Sequence, residues 1–153
     1  MPLPASCAPQ VVETAHDYPV APELLWDVAI DWRRLGEVNR GMVTQIGLPE
    51  GRFTAGQRLE IAVSAFGLLP AKPYVIEILE CDDASRTMIS REHGAGVKSW
   101  NHEMRVEATP EGCRLLDRIE IDAGALTRAF AAWARLLYRR RHKPRLRMLG
   151  LAA

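Results

Sequence analysis

No segment of the 153 residues approaches the ~18 continuous apolar residues that a membrane span requires. Charge of one sign is also scarce. Twenty Lys and Arg oppose 19 Asp and Glu, a net of +1, so there is no general basic excess to hold nucleic acid. Cysteine is sparse and odd in number. Cys7, Cys81 and Cys113 sit at unrelated spacings, which excludes a disulfide framework and fits reduced thiols in a cytoplasm. The opening MPLPASCAPQ has neither the basic start nor the apolar run of a signal peptide, and without that run the likeness of Ser6-Cys7 to a lipoprotein site means little. No internal repeat and no low-complexity tract interrupts the chain.

Reaction motifs are scarce too. The four histidines, His16, His93, His102 and His142, fall in different elements. The run His102-Glu103-Met104-Arg105 offers one histidine where a zincin helix needs two, so neither metal nor cofactor is expected. No serine sits in a G-x-S-x-G elbow. Gly94-Ala95-Gly96 is a turn signal without the strand-to-helix setting of a phosphate loop.

What is present is strand periodicity. A first strand is expected over Val11–Tyr18. Pro22 opens a helix, PELLWDVAIDW, with Leu24, Leu25, Val28 and Ala29 on one face, and a short helix follows over Trp32–Val38. Strands are then expected near Met42–Gly47, Arg58–Phe66, Tyr74–Glu80, Thr87–His93, Val97–Glu107 and Arg114–Asp122. Glycine, proline and aspartate clusters separate them, so successive strands are antiparallel neighbours. Leu59, Ile61 and Val63 alternate on one strand, and Tyr74, Ile76 and Ile78 on the next, giving the sheet one apolar face. A long helix from Ala125 to about His142 carries Leu126, Phe130, Trp133 and Leu137 at i, i+4, i+7 and i+11, and it must cover that face. The fold class is α+β in a single domain, with residues 1–10 expected to be flexible and 143–153 to form a basic tail.

One hairpin departs from the greasy pattern. In SWNHEMRVEATPEGCRLLDRIEI, Trp100, His102, Met104 and Val106 share a face. Across a Thr109-Pro110-Glu111-Gly112 turn, Leu115, Asp117, Ile119 and Ile121 share one face of the next strand. A two- or four-residue loop pairs Met104 with Asp117 and His102 with Ile119, leaving His102 and Asp117 diagonal, with α-carbons roughly 7–8 Å apart. A three-residue loop at Gly94-Ala95-Gly96 would pair Ser90 with Trp100 and Met88 with His102. Met88, Ser90, Trp100, His102, Met104, Asp117 and Ile119 should then line one patch. A buried carboxylate needs a donor, and His102 is the nearest. The pair is open to three readings: structural polar groups, an anchor for a ligand, or an acid–base pair.

The element order and the segments PVAPELLWDV, Gly56-Gln57-Arg58-Leu59 and the Trp100–His102–Gly112–Asp117 hairpin resemble the START-like (SRPBCC, polyketide cyclase/dehydrase-like) superfamily, small stand-alone bacterial members above all. The likeness spans roughly Val11 to Leu149. Two positions depart from it: Met104 stands where relatives often have a second histidine, and Ile121-Asp122-Ala123-Gly124 replaces an aromatic-proline segment. The resemblance implies a helix-grip fold: a curved sheet of about seven antiparallel strands around a long C-terminal helix, with two short helices after the first strand. It also implies a cavity for a hydrophobic or amphipathic ligand of lipid, polyketide or aromatic type. The expected pocket adds Leu59, Ile61, Val63, Tyr74, Ile76, Phe130 and Trp133 to the hairpin residues. The alternative is a cyclase or dehydratase using His102 and Asp117.

Last comes YRRRHKPRLRML, with six cations between Arg139 and Arg147. A solvated helix end favoured by the macrodipole is the first reading, with Pro144 bending or ending the helix. Contact with anionic lipid or an acidic partner is the second. The expected assembly is a monomer or homodimer.

Overall fold

The computed structural model describes residues 8–151. Strand β1 (Gln10–Tyr18) leads into α1 (Pro22–Ala29) and α2 (Trp32–Val38). Six strands follow: β2 (Val43–Ile46), β3 (Arg58–Ala65), β4 (Lys72–Asp82), β5 (Thr87–Gly94), β6 (Val97–Thr109) and β7 (Gly112–Asp122). A 3-10 turn (Gly124–Leu126) precedes α3 (Thr127–Arg140) and α4 (His142–Met148). All seven strands form one antiparallel sheet in the order β1-β7-β6-β5-β4-β3-β2. The sheet curls, helped by a bulge in β4 between Ile78 and Glu80, and the helices lie on its concave side. This is the helix-grip fold. Among the described residues no helix is long and apolar enough to cross a membrane.

Local chemistry explains the first helices. Pro22 supplies the fixed φ of a first turn, and α1 buries Leu25, Trp26, Val28 and Ala29. Leu24, expected on the inner face, is exposed instead, because the helix turns Trp26 inward, where its Nε1 donates to Asp83 Oδ1 at 2.7 Å. The helix stops at Ala29 rather than running on to Trp32. Asp31 takes up an extended conformation and accepts from the Arg34 N–H at 3.0 Å, capping α2.

The two central hairpins differ in fidelity to their sequence pattern. β6 and β7 pair as expected: Val106 with Leu115, Met104 with Asp117, His102 with Ile119. The two-residue turn closes on Gly112, whose φ is +153° and where a Cβ would run into the backbone of Tyr18 and Val20. At the other hairpin the register is two residues off the expected one: Ser90 opposes His102, Met88 opposes Met104 and Glu92 opposes Trp100. The turn contains only Ala95 and Gly96, both at positive φ (+49° and +90°), and a bulge between Glu92 and Gly94 absorbs the difference. A shift of two keeps every side chain on its face.

The C-terminal region also departs from the expected single helix and tail. α3 ends at Arg140 because Pro144 has no N–H for the Arg140 carbonyl and its ring crowds that turn. Placed in the first turn of a new helix, proline is tolerated, and α4 continues to Met148 and packs on α2. Residues 143–148 of the expected basic tail are therefore helical. Residues 1–7 of the expected flexible start lie outside the described residues, and Gln10 is already in β1. Leu126, the first residue of the expected buried stripe, is 58% exposed. Leu137, its last residue, is buried, beside a regular buried row of Thr127, Ala131, Ala134, Tyr138, Arg141 and Arg145, spaced 4, 3, 4, 3 and 4 along the chain.

Candidate functional site

Alanines on that buried row decide where the helix sits. Ala131 and Ala134 have no bulk to hold α3 away, so it settles on β1 and β7, against Val12, Ile119 and Ile121. The middle strands are left without a close cover. Between them and α3 lies a cavity of about 430 Å³. Its walls carry Met88, Met104 and Trp100 from the sheet and Phe130, Trp133 and Leu137 from α3. Val63, Tyr74 and Ile76 extend it along β3 and β4, and Trp32 and Phe53 close it toward α2.

Ten of the residues expected to line the pocket do so: Met88, Ser90, Trp100, His102 and Met104 from the hairpins, and Val63, Tyr74, Ile76, Phe130 and Trp133 around them. Four do not. Ile119 lies beneath α3, in the cluster built by Ala131 and Ala134. Asp117 sits behind His102. Leu59 and Ile61 pack into the core with Trp32 and Phe53, on the α2 side. In each case a neighbouring element covers the residue, which strand alternation alone does not reveal.

A polar row crosses the apolar floor. Asp117 is 3% exposed and His102 6%, and Asp117 Oδ1 lies 2.6 Å from His102 Nε2. That nitrogen carries the proton whether the ring is neutral or charged, since a carboxylate only accepts. In the neutral ring Nδ1 then accepts from the Tyr138 hydroxyl, 3.4 Å away. Burial pushes the Asp117 carboxyl up, but the hydrogen bond and charge of His102, with Arg145 and Arg141 nearby, outweigh it. The net effect holds Asp117 below the usual carboxylate range. Burial drives the Tyr138 phenol far above its ordinary value, so it remains an O–H donor. One strand further on, Glu92 Oε2 accepts from Ser90 Oγ at 2.9 Å, and Glu92 Oε1 from the Tyr74 hydroxyl at 3.0 Å.

Arg141 and Arg145 close the polar end, where the sequence pattern does not place them. The Arg141 Nε donates to Asn39 Oδ1 at 2.8 Å, and its guanidinium lies 4.1 Å from the Tyr138 ring centre. Both arginines line the cavity. The other cations of the segment, Arg139, Arg140, Lys143 and Arg147, are exposed as a solvated helix end should be. Tyr138, Glu92, Asn39 and the two arginines are site residues that strand and helix patterns do not single out. For the helical ones a signal exists: Tyr138, Arg141 and Arg145 continue the 3-4 spacing of Ala131 and Ala134.

Beneath α4, further buried polar groups meet. His16 and His142 stack at 4.9 Å between ring centres, and Tyr18 packs on His142 at 4.8 Å. Burial, then repulsion from each other or from Arg145, lowers the basicity of both histidines. Thr14 Oγ1, His16 Nδ1, the Tyr18 hydroxyl, Asp117 Oδ2, His142 Nδ1 and Arg145 Nη1 are buried without a partner in the protein. All belong to β1, β7 or α4. No group of three His, Cys, Asp or Glu close enough for a metal occurs among the described residues. Cys81 and Cys113 are free thiols, and Cys7 lies outside the described residues.

A curved sheet gripping a helix over an apolar cavity with a few convergent polar groups defines the class. The chain belongs to the DUF8410 family, a domain of unknown function, whose profile matches residues 44–149. No curated protein matches its sequence. Solved structures share its fold at low identity. Protein CV1439 from Chromobacterium violaceum superposes with a TM-score of 0.74 at 12% identity, covering 94% of this chain and 100% of the other. Ara h 8.0201 gives 0.66 at 14% identity, over 91% and 99%. DynU16, from the dynemicin biosynthetic locus, gives 0.62 at 16% identity, over 92% of this chain and 47% of its own.

Proposed function

We propose that the protein binds a small hydrophobic or amphipathic molecule in the cavity between the sheet and α3. The observation that carries the reading is the cavity itself. At about 430 Å³ it lies within the range of small-molecule sites, roughly 300–1,000 Å³. It is walled by tryptophan, phenylalanine and methionine, with a few polar groups, His102, Glu92, Arg141 and Arg145, among them. Methionines 88 and 104 suit a wall that adapts to varied apolar shapes. The shared fold of Ara h 8.0201 and DynU16, and the likeness to the START-like superfamily, are consistent with a binding role. They choose no ligand.

The alternative, a cyclase or dehydratase with His102 and Asp117 moving a proton, draws on the Asp117–His102–Tyr138 chain. Both ring nitrogens of His102 are engaged within the protein, one by Asp117 and one by Tyr138. These contacts hold the ring as a fixed polar group in the wall, which supports the binding reading. Native mass spectrometry of freshly purified protein, compared with the denatured mass, tests the proposal. A non-covalent adduct of a few hundred daltons is expected. A bare mass, together with failure of apolar fluorescent probes to bind, would overturn it.

A further inference from the structure

We infer that the molecule held in the cavity carries a carboxylate, seated on the guanidinium groups of Arg141 and Arg145 where α3 gives way to α4; the inference rests on the binding role proposed above. Both arginines are at least nine-tenths buried, at 6% and 3% exposure, and both line the cavity. Among the described residues neither has a carboxylate oxygen within 4 Å, whereas arginines elsewhere, such as Arg52, Arg91 and Arg114, form such pairs at the surface. Arg141 is held by Asn39 and by the Tyr138 ring, contacts that aim the guanidinium without neutralising it. Arg145 Nη1 makes no well-formed hydrogen bond, and its near neighbour, the Tyr18 hydroxyl, is neutral.

An arginine cannot shed its proton to relieve burial, as lysine can. A guanidinium taken out of water therefore needs an anion or a set of acceptors, and the effective penalty without one is several kcal/mol. The local inventory supplies too little. Asp117 is the fully buried carboxylate nearby, and one of its oxygens is committed to His102. Glu92, further along the wall, is occupied by Ser90 and Tyr74. Among the described residues the two fixed cations thus have no carboxylate oxygen in ion-pair range, since Asp117 is bonded to His102 and Glu92 to two hydroxyls. A singly charged, planar carboxylate supplies one and matches the fork of a guanidinium. A doubly charged phosphate would be repelled more strongly by Glu92. The apolar walls then receive a hydrocarbon or aromatic body.

A purely structural role competes: Arg145 Nη1 and the free Asp117 Oδ2 serve each other across a solvent bridge. Such a role entails no preference among head groups. Calorimetric titration at neutral pH with matched pairs separates the two, using dodecanoate against dodecan-1-ol and 2-naphthoate against 2-naphthalenemethanol. The expected result is that at least one acid binds about tenfold or more tighter than its alcohol. In Arg145→Met the acid-to-alcohol preference should collapse, and Arg145→Lys should retain part of it. Equal affinity of acid and alcohol in the unaltered protein overturns the carboxylate seat and leaves the binding role standing. Failure of all four probes to bind overturns both. The acid-to-alcohol ratio is read on the unaltered chain, so a variant that does not fold leaves the test intact.

Discussion

The two halves of the concave face are built from the same kinds of residue and do opposite things. Over β1 and β7 the helix is close enough to make a dry, filled core in which Val12, Ile119 and Ile121 meet Ala131 and Ala134. Over β3, β4 and β5, Val63, Ile76 and Met88 face a cavity. The difference lies in the helix. Alanines draw α3 down on one side, while Phe130 and Trp133 on its other flank reach over the remaining strands as a roof. A cavity in this fold is thus a consequence of asymmetric seating, and hydrophobicity alone does not distinguish its lining from core.

Substitutions in each half should expose the contrast. The largest loss is expected where charge and packing coincide. Asp117→Ala removes the partner of His102 and the nearest buried anion to Arg145, and should cost about 3–5 kcal/mol in chemical denaturation. Ile119→Ala, in the filled half, should cost about 2–5 kcal/mol. Phe130→Ala, on the roof of the open half, removes more atoms yet should cost less than Ile119→Ala, because that ring borders a cavity. The reverse order would mean that the cavity is closed in solution. Ala134→Leu, which adds bulk in the filled half, should cost about 1–3 kcal/mol. Val63→Phe, the same kind of addition in the open half, should shift the melting temperature by no more than about 3 °C, under 1 kcal/mol for a chain of this size. It should also displace an apolar probe.

Acid should find the same boundary. His16 and His142 are less basic in the folded protein than in the open chain, so unfolding takes up protons below about pH 6.5, the unfolded value. Their contribution is complete above that pH and declines as the pH falls. Melting temperature should therefore drop between about pH 7 and 5, and His142→Gln should flatten the decline. Asp117, held low in the folded state, adds its own loss only at more acidic pH, near and below the usual carboxylate value of about 4. A melting temperature level from neutral to pH about 5 would contradict the partial burial of the two rings.

Much of this is legible in the residues. Strand alternation and a tight Pro110-Glu111 turn lead to the β6–β7 register and to the His102–Asp117 diagonal, because a two-fold period ties face to position. The neighbouring hairpin is shifted by two, since nothing in Gly94-Ala95-Gly96 announces that Ala95 will accept a positive φ and force a two-residue turn. A bulky stripe, Leu126 to Leu137, suggests the inner face of the last helix; Phe130, Trp133 and Leu137 do face the cavity, but the stripe that seats the helix on β1 and β7 is small and polar. Threonine, two alanines, tyrosine and two arginines make a poor hydrophobic face by composition. Their 3-4 spacing is nonetheless regular across the helix break, and it is the spacing that points inward. Which inward residues border space and which border atoms depends on how closely α3 sits, a tertiary property that no single strand pattern contains.

The break at Pro144 has a thermodynamic consequence. Seven residues are too few to hold a helix by themselves. α4 therefore persists by its packing on α2 and by whatever compensates the charge of Arg145. Backbone amides from Arg145 to Leu149 should exchange with deuterium sooner than those of β6 and β7, through a local opening that leaves the sheet intact. A molecule that pairs with Arg145 closes that opening by mass action. Proton exchange in the last helix is then a gauge of occupancy, readable without knowing the occupant's identity.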